Sequence, residues 1–406
     1  MKSNWQIKKL EEVCEVFADG DWIEKKDQSI SGIRLIQTGN IGNGYFLDRS
    51  KKARYISEDT FKRLRCTEVL PGDCLLSRLP DPVGRTSLIP DTGQKMITAV
   101  DCTIMRFKKD TLPKWFIYYS LSPDYQKEIN KEVTGATRQR ISRSNLGNIE
   151  ISVPPIPEQK RIVKILDEVF EKTAKAKEKA EKNLQNSREL FESYLQSVFA
   201  NPGDEWEEKK LGDVCNFVRG PFGGSLKKSC FKPRGIAVYE QQHAIYNQFE
   251  KIRYFIDEIK FNEMQRFEVA PGDLIMSCSG TMGKVSIVPN NAQKGIINQA
   301  LLKLSTTKNL LARFLKFWME SPNFQNQLTK HSLGAAIKNV ASVKVLKEIH
   351  VPLPPLSEQK DIIAKLDALL AETKKLEAIY QQKLNDLEEL KKSILQKAFK
   401  GELIGV

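Results

Sequence analysis

A segment near the middle of the chain recurs 200 residues later, and this repeat constrains the fold more than any other feature. Residues 153–160 read VPPIPEQK, and residues 353–360 read LPPLSEQK. A repeat held in constant register predicts that the chain contains two copies of one structural plan. Further identical positions include Leu166, Asp167 and Thr173 in the first copy and Leu366, Asp367 and Thr373 in the second.

Each copy of the repeat is predicted to be a long helix. Its apolar residues recur at alternating spacings of four and three, which is the pattern of a coiled coil. Such a helix must bury its apolar stripe, so the other copy is the expected partner, and two unrelated surface helices are the alternative. The predicted seam includes Ile162, Leu166, Val169, Leu366, Leu369, Leu376, Tyr380 and Leu387.

The ends of both helices carry capping signals. Prolines precede each copy and end the preceding structure. Pro157 suits a helix start, and Ser357 at the matching place suits an N-cap. Asn201 and Gly401 occupy the positions where a left-handed residue ends a helix.

The rest of the chain is predicted to form two globular units with a shared framework. PGDLIMS at 271–277 matches PGDCLLS at 71–77, and the residues between such matches diverge. Alternating apolar runs bounded by turn signals predict short strands, and one helical stretch follows them. The predicted elements of the first unit are strands at 33–36, 74–77 and 102–107 and a helix at 113–127.

The predicted architecture is therefore α+β, with two similar globular domains joined by two long helices. The domains are residues 1–152 and 202–352, and the helices are residues 153–201 and 353–406. In the sequence, the second domain follows the end of the first helix and precedes the start of the second helix. Because the two termini of a domain are often close together, these two helix ends are expected to lie near each other. We therefore expect an antiparallel coiled coil and approximate two-fold symmetry.

The composition limits the class of protein. The chain has 406 residues, 40% of them hydrophobic, which suits two or three domains with real cores. Its net charge of +13 favours an acidic partner, nucleic acid before a membrane surface. No run of about 18 apolar residues is present, so no membrane-spanning segment is predicted.

The cysteine pattern predicts neither a metal site nor any other cofactor. The seven cysteines form no CxxC pair, and with only three histidines they give no zinc-binding spacing. They are interpreted as buried thiols of a reduced, cytoplasmic protein.

The order of a globular unit, a PPIPEQ helix, a second globular unit and a PPLSEQ helix resembles the specificity subunit of Type I restriction–modification enzymes. The paired helix ends, LQSVF at 195–199 and LQKAFKG at 395–401, extend the resemblance over essentially the whole chain. It implies that each globular unit is a target-recognition domain that reads one half of a bipartite site in double-stranded DNA. It also implies that the helices set the unread spacer and bind adenine methyltransferase subunits, and that translocating restriction subunits complete the enzyme.

Basic side chains cluster in loop-like stretches of both units. Such groups can neutralise phosphates, an interaction that dominates affinity for DNA and weakens with salt. The predicted phosphate-binding residues are Lys51, Lys52, Arg54, Arg138, Arg140, Lys227, Lys228 and Arg234.

Reading of base edges requires forked or amide side chains, such as Arg for guanine and Gln or Asn for adenine. Arg78 and Arg85 flank a Gly/Pro-rich turn directly after a predicted strand, and Arg85 and Lys284 occupy matching places and are expected to behave alike. For every candidate the alternative is a solvated loop residue. The candidates are Gln37, Asn40, Arg78, Arg85, Gln241, Gln242, Ser277, Ser279 and Lys284.

No catalytic motif is recognised, so a non-catalytic DNA-recognition subunit is predicted. The adenine-methyltransferase signature NPP(Y/F) is absent, and GTMGKV at 280–285 lacks the spacing and hydroxyl of a phosphate-binding loop. One alternative is a coiled-coil scaffold or adaptor that binds proteins only, although such a scaffold does not need two diverged domains rich in Arg, Gln and Asn. A self-contained methylating nuclease is the other, and the missing motifs argue against it.

Overall fold

The computed structural model describes residues 4–137, 139–330 and 342–403. The chain divides into two compact units. The first consists of residues 1–181 and 381–406, and the second of residues 182–380. Each unit therefore includes one part of each long helix.

The first unit contains two four-stranded sheets and a separate pair of strands. Its strands are β1 (Gln6–Lys9), β2 (Cys14–Asp19), β3 (Gln28–Ser29), β4 (Ile33–Ile36), β5 (Arg54–Ile56), β6 (Cys74–Ser77), β7 (Thr86–Leu88), β8 (Met96–Thr98), β9 (Cys102–Phe107) and β10 (Glu150–Val153). One sheet has the antiparallel order β2-β9-β6-β7, and the other has the order β3-β5-β4-β8 with β4 and β8 parallel. β1 pairs with β10 and closes the domain. The three predicted strands are confirmed as β4, β6 and β9.

The helices of the first unit are α1 (Glu58–Leu64), α2 (Pro113–Ser120), α3 (Pro123–Glu132), α4 (Arg143–Gly147) and the first long helix, α5 (Ile156–Ala200). In this unit α1 packs on the mixed sheet, and α2 and α4 contact the antiparallel sheet. The helix predicted at 113–127 is two helices, because the Ser122 hydroxyl accepts a hydrogen bond from the backbone N–H of Tyr125 at 3.2 Å and begins a second one. Trp115 is fully buried and contacts Phe399, with ring centroids 6.0 Å apart. The last turn of the second long helix thus belongs to this core.

The second unit repeats this plan. Its strands are β11 (Glu207–Lys210), β12 (Cys215–Arg219), β13 (Ile236–Tyr239), β14 (Tyr254–Ile256), β15 (Glu268–Val269), β16 (Leu274–Ser277), β17 (Val285–Ile287), β18 (Gly295–Ile297), β19 (Leu301–Thr306) and β20 (His350–Leu353). Its helices are α6 (Leu211–Val214), α7 (Gln241–Tyr246), α8 (Glu258–Glu263), α9 (Ala312–Glu320), α10 (Pro322–Lys330), α11 (Val343–Lys347) and the second long helix, α12 (Leu356–Lys400). The sheet order β12-β19-β16-β17 repeats that of the first unit strand for strand.

The second sheets of the two units carry their fourth strand at different edges. β13 and β18 are parallel, as β4 and β8 are, and β14 pairs with β13 as β5 pairs with β4. β15 adds to the outer edge of β18, whereas β3 adds to the outer edge of β5. The predicted pair of similar mixed helix-and-sheet domains is confirmed, and a two-fold relation between them stays a prediction.

Both long helices contain 45 residues and begin one residue before the predicted capping positions. Gly401 has a φ of 74°, as predicted for the residue that ends α12. The prediction for Asn201 is wrong, because its φ is not positive and its side-chain amide instead donates to the Ser197 carbonyl at 3.1 Å. A side-chain cap replaces the left-handed turn at that helix end.

Within each unit the two long helices run antiparallel. In the first unit Lys177 pairs with Glu388 at 3.0 Å, and Arg161 donates to the Leu403 carbonyl at 3.1 Å, so partner numbers fall as α5 advances. In the second unit Arg188 lies 3.4 Å from Glu377, and Phe199 shares a hydrophobic cluster with Leu366, so partner numbers fall again. The predicted antiparallel direction is therefore confirmed separately in both units.

Burial differs among the predicted seam residues, and the seam itself stays a prediction. Ile162, Leu166 and Leu366 are fully buried, while Leu376 is 36% exposed and lies outside the seam. The buried positions in that stretch are small residues, such as Thr373, so the larger leucine stays at the solvent side. The remaining predicted seam residues are half-buried: Val169, Leu369, Tyr380 and Leu387.

Candidate nucleic-acid interface

A basic cleft opens in the first unit where β4 ends, and we call it the first cleft. Its volume is about 260 Å³. Arg34 is the most buried cation and forms an ion pair with Asp48, so its charge is largely compensated. The polar lining consists of Arg34, Gln37, Thr38, Asn40, Arg49, Lys52 and Arg54.

Hydrogen bonds of the Asn40 side chain stabilise the loop that follows β4. Asn40 Oδ1 accepts a hydrogen bond from the backbone N–H of Gln37 at 3.0 Å, and its Nδ2 donates to the Leu47 carbonyl at 2.9 Å. The side chain is only 8% exposed. Asn40 was predicted to read a base, but both ends of its amide are used to close the loop that forms the cleft.

Four predicted residues, Gln37, Asn40, Lys52 and Arg54, line the first cleft together. Lys52 and Arg54 are exposed, and Lys51 is exposed beside them in a short 3-10 turn. An amide beside several cations matches the groups that proteins place against base edges and phosphates. The first cleft therefore presents several cations and an amide at one surface.

Arg85 is a structural clamp. Its guanidinium donates to four backbone carbonyls at 2.8–3.1 Å. Two of these, on Thr38 and Ile41, flank the loop at the first cleft, and two, on Leu79 and Pro82, belong to the turn after β6. Burial lowers the pKa of the guanidinium. The prediction that Arg85 contacts a base needs correction, because its donors already join two loops.

Arg78 is buried as well, with 4% of its surface exposed. It donates to the Val100 carbonyl at 2.5 Å and lies 3.4 Å from Asp19. Burial lowers the pKa of this guanidinium too. A side chain in this position cannot reach a base edge, so the sequence pattern of a turn after a strand misled the prediction.

The remaining predicted residues of the first unit lie apart from the first cleft. Arg140 is exposed and pairs with Asp101 at 3.2 Å. Arg138 lies outside the described residues. A phosphate contact at Arg140 stays a prediction.

A second cleft occurs at the corresponding place in the second unit, where β13 ends. Its volume is about 170 Å³. The first cleft is lined by several cations, whereas the charged residues of the second cleft are one carboxylate and one guanidinium. The second cleft is lined by Glu240, Gln241, Gln242, Arg253, Asn298 and Ala300.

The two clefts have the same backbone scaffold. His243 Nδ1 lies 2.9 Å from the backbone N of Glu240, which repeats the contact between Asn40 and Gln37 three residues apart. His243 is fully buried. Burial raises the pKa of the Glu240 carboxyl despite the nearby charge of Arg253.

The predicted residues around the second cleft have distinct roles. Gln241 accepts a hydrogen bond from the backbone N–H of Ser279 at 3.3 Å, and Gln242 donates to the Lys251 carbonyl at 3.3 Å. Both side chains are half-buried, and each already uses part of its amide in a hydrogen bond within the protein. Ser277 is fully buried, and its hydroxyl accepts from the backbone N–H of Lys284 at 3.0 Å. Ser277 therefore shapes a turn, and its predicted base contact is wrong.

Lys284 is exposed, unlike its sequence counterpart Arg85. The expectation that the two behave alike needs correction, since only the arginine fork reaches four carbonyls. The basic residues predicted to contact phosphate in this unit are all exposed: Lys227, Lys228 and Arg234.

Four charged cleft residues were missed from the sequence: Arg34, Arg49, Glu240 and Arg253. A usable signal existed, because the four-residue strands IRLI at 33–36 and IAVY at 236–239 are each followed by a polar side chain. Aligning the two strand sequences matches Glu240 with Gln37, and this match identifies the position of the second cleft.

No helix in the described part of the chain combines the length and hydrophobicity that a bilayer crossing requires.

Curated relatives share the sequence over most of the chain. The putative type I restriction enzyme MjaX specificity subunit of Methanocaldococcus jannaschii is 22% identical, covering 98% of this chain and 94% of the relative. The type I restriction enzyme EcoBI specificity subunit of Escherichia coli is 25% identical, covering 73% of this chain and 67% of the relative.

Solved structures share the fold. A chain from work on complex assembly and conformational transition of the type I R-M system superposes with a TM-score of 0.80 at 19% identity, covering 99% of both chains. The HsdS subunit from Thermoanaerobacter tengcongensis gives a TM-score of 0.65 at 19% identity, covering 99% of this chain and 98% of that one. The family described as "Type I restriction modification DNA specificity domain" matches residues 2–185 and 203–389, once for each repeat. The chain therefore belongs to the Type I restriction modification DNA specificity domain family.

Proposed function

We propose that the chain is the specificity subunit of a Type I restriction–modification complex and reads a bipartite DNA target with two different half-sites. Residues 1–152 and 202–352 act as the two readers, and residues 153–201 and 353–406 form the helices that join them. Each reader recognises one half-site.

One observation carries the proposal. Both repeats have a polar cleft at the same place, directly after β4 in the first unit and after β13 in the second. The two clefts have different linings. The first cleft presents Arg49, Lys52 and Arg54, and the second presents Glu240 and Arg253. A shared scaffold with different reading groups suits two half-sites of different sequence, because Arg favours guanine and Glu accepts from the cytosine amino group.

The proposed partners are double-stranded DNA, adenine methyltransferase subunits and restriction subunits. The chain itself is proposed to be non-catalytic, with methylation and cleavage supplied by those subunits. All seven cysteines are free, which agrees with a reducing, cytoplasmic location.

The test is co-expression with the cognate methyltransferase subunit, followed by mapping of methyladenine over a whole genome. One chimera carries residues 1–152 from a relative, and the matched chimera carries residues 202–352 from the same relative. We expect each exchange to change one half of the methylated sequence and to leave the other half intact. A change in both halves from one exchange contradicts independent reading, and absence of site-specific methylation with the wild-type chain contradicts the proposed function.

A further inference from the structure

We propose that Trp22 and Phe222 are a matched pair of DNA wedges, one in each reader, that insert beside bases of the half-site. The inference rests on the proposed function and adds a mode of contact to it. It comes from the fold position, exposure and surroundings of the two aromatic side chains.

The two aromatics follow matched glycines at the ends of β2 and β12. The backbone N–H of Gly20 donates to the Cys102 carbonyl at 2.8 Å, and that of Gly220 donates to the Leu301 carbonyl at 2.9 Å. A Cβ at Gly20 would lie 2.4 Å from the Ala99 carbonyl oxygen. One at Gly220 would lie 1.9 Å from the Asn298 carbonyl oxygen. Close backbone packing therefore requires glycine in both units and fixes where the aromatic loop starts.

Both aromatic side chains project into solvent. Trp22 is 68% exposed and Phe222 is 80% exposed. The rest of the loop diverges, with DWIE at 21–24 in one unit and PFGG at 221–224 in the other. An exposed aromatic ring gains no burial energy within its own domain, so its presence at the same position of both diverged loops points to an external surface.

The loops lie next to the two clefts. Ala99, which packs on Gly20, donates its backbone N–H to the Ile36 carbonyl at 3.0 Å, directly before Gln37. Asn298, which packs on Gly220, lines the second cleft itself. The aromatic and polar groups of each reader therefore occupy neighbouring parts of one surface.

The charge near the aromatics favours nucleic acid over an apolar partner. Two exposed lysines follow each aromatic residue in the sequence. After Trp22, Lys25 and Lys26 lie in a 3-10 turn. After Phe222, Lys227 and Lys228 lie at the start of a 3-10 turn. Among the nearby acids, Glu24 pairs with Lys26 at 2.8 Å and lies 3.4 Å from Trp22 Nε1. Asp27 is buried and pairs with Arg63 at 2.6 Å.

An exposed aromatic ring followed by lysines can contact DNA by inserting at a base step. Apolar side chains inserted at a base step unstack it, while neighbouring lysines bind the flanking phosphates. Stacking on an aromatic side chain is tolerant of base identity. The wedges thus add affinity and local unstacking, while the clefts supply sequence preference.

The experiment uses the complex with its methyltransferase partner and a duplex that carries the mapped target, with 2-aminopurine placed in one half-site at a time. We expect wild-type binding to raise the probe fluorescence in both half-sites. Trp22→Ala should abolish the increase in the first half-site only and weaken binding about 10-fold, and Phe222→Ala should do the same in the second. Trp22→Phe should retain the increase.

Ile30→Ala and Ile259→Ala are the control variants, because these side chains are 99% and 76% exposed and neither has an aromatic counterpart. Circular dichroism and thermal melting verify that each variant is folded. If the wild-type complex shows no preference for the mapped duplex, the proposed function fails. If wild type binds specifically and both aromatic variants behave like the isoleucine controls, or lose affinity with unchanged fluorescence, the wedge proposal is overturned.

Discussion

Gln159 accepts a hydrogen bond from the backbone N–H of Leu112 at 2.7 Å, and this contact joins the first long helix to its domain. The same amide donates to the carbonyls of Asp110 and Pro154 at 2.9 and 2.8 Å. Gln159 and Gln359 are both fully buried. Gln359 makes the same three bonds at 2.8–2.9 Å, to Leu311, Asn309 and Pro354.

We expect Gln159→Ala to lower the free energy of unfolding of the first unit by about 2–4 kcal/mol, since three buried backbone groups lose their partner. Gln359→Ala should have the corresponding effect on the second unit. Gln185→Ala, in an exposed part of the same helix, is the matched control and should change little. Urea unfolding with hydrogen exchange distinguishes the units. Equal effects of Gln159→Ala and Gln185→Ala would refute this role for the repeated glutamine.

The repeat could be predicted because it is encoded by local patterns. The strand β4, the turn at Gly72 and the antiparallel helices follow from alternation, turn residues and connectivity. Leu376 was misplaced because a heptad pattern does not specify how small residues bring two helices together. Such packing depends on the partner helix, which a single helical pattern does not contain.

The interface was harder to predict because base-reading and structural arginines look alike in sequence. Arg78 and Arg85 were favoured for their place beside a turn, yet both donate to backbone carbonyls that are distant in sequence. Arg34 and Glu240 were missed because their clefts form only when two paired strands and a loop converge. Long-range hydrogen bonds decide between these roles, and they have no local sequence signal.

Arg85→Ala should destabilise the first unit by about 2–4 kcal/mol, because four backbone carbonyls lose a charged donor. Arg85→Lys should rescue little, since an ammonium cannot reproduce the fork. Thermal melting of the two variants measures the effect. A wild-type melting temperature combined with lost recognition would restore the original prediction of a base contact.

Arg54→Ala provides the contrasting case at the first cleft. Arg54 is exposed, so we expect unchanged stability but uniformly weaker binding to all duplexes if it contacts phosphate. The slope of log affinity against log salt should then fall by about one. Fluorescence anisotropy over a salt titration measures it. A selective loss for one half-site sequence would instead assign Arg54 a base contact.

Cysteine reactivity should separate Cys230 from the buried thiols. Burial raises the pKa of Cys14, Cys102 and Cys215 to about 12, which leaves little thiolate near neutral pH. Cys230 is partly exposed. Iodoacetamide labelling followed by mass spectrometry should modify Cys230 first and the three others only after urea unfolding. Labelling of Cys102 at the same rate as Cys230 in the folded protein would contradict this burial.

Glu240 should make recognition by the second unit sensitive to mild acid. Burial raises its pKa above that of an exposed glutamate, so the folded state binds this proton more tightly than the unfolded chain does. The ionised carboxylate therefore opposes folding above the raised pKa, and this penalty disappears as the pH falls through it. Bound DNA phosphates should raise the pKa further, because like charges disfavour ionisation.

Protonation turns one carboxylate oxygen into a donor and removes the negative charge, which weakens the hydrogen bond that Glu240 can accept from a base amino group. Affinity for the mapped duplex should fall as the pH decreases from neutral toward the ordinary glutamate range, and the loss should depend on the second half-site. Glu240→Gln should abolish this pH dependence and alter the preferred base, whereas the control Glu250→Gln, at an exposed position of the same unit, should keep both. Anisotropy titrations at a series of pH values provide the measurement. An identical pH profile for wild type and Glu240→Gln would exclude Glu240 as the reading group of the second cleft.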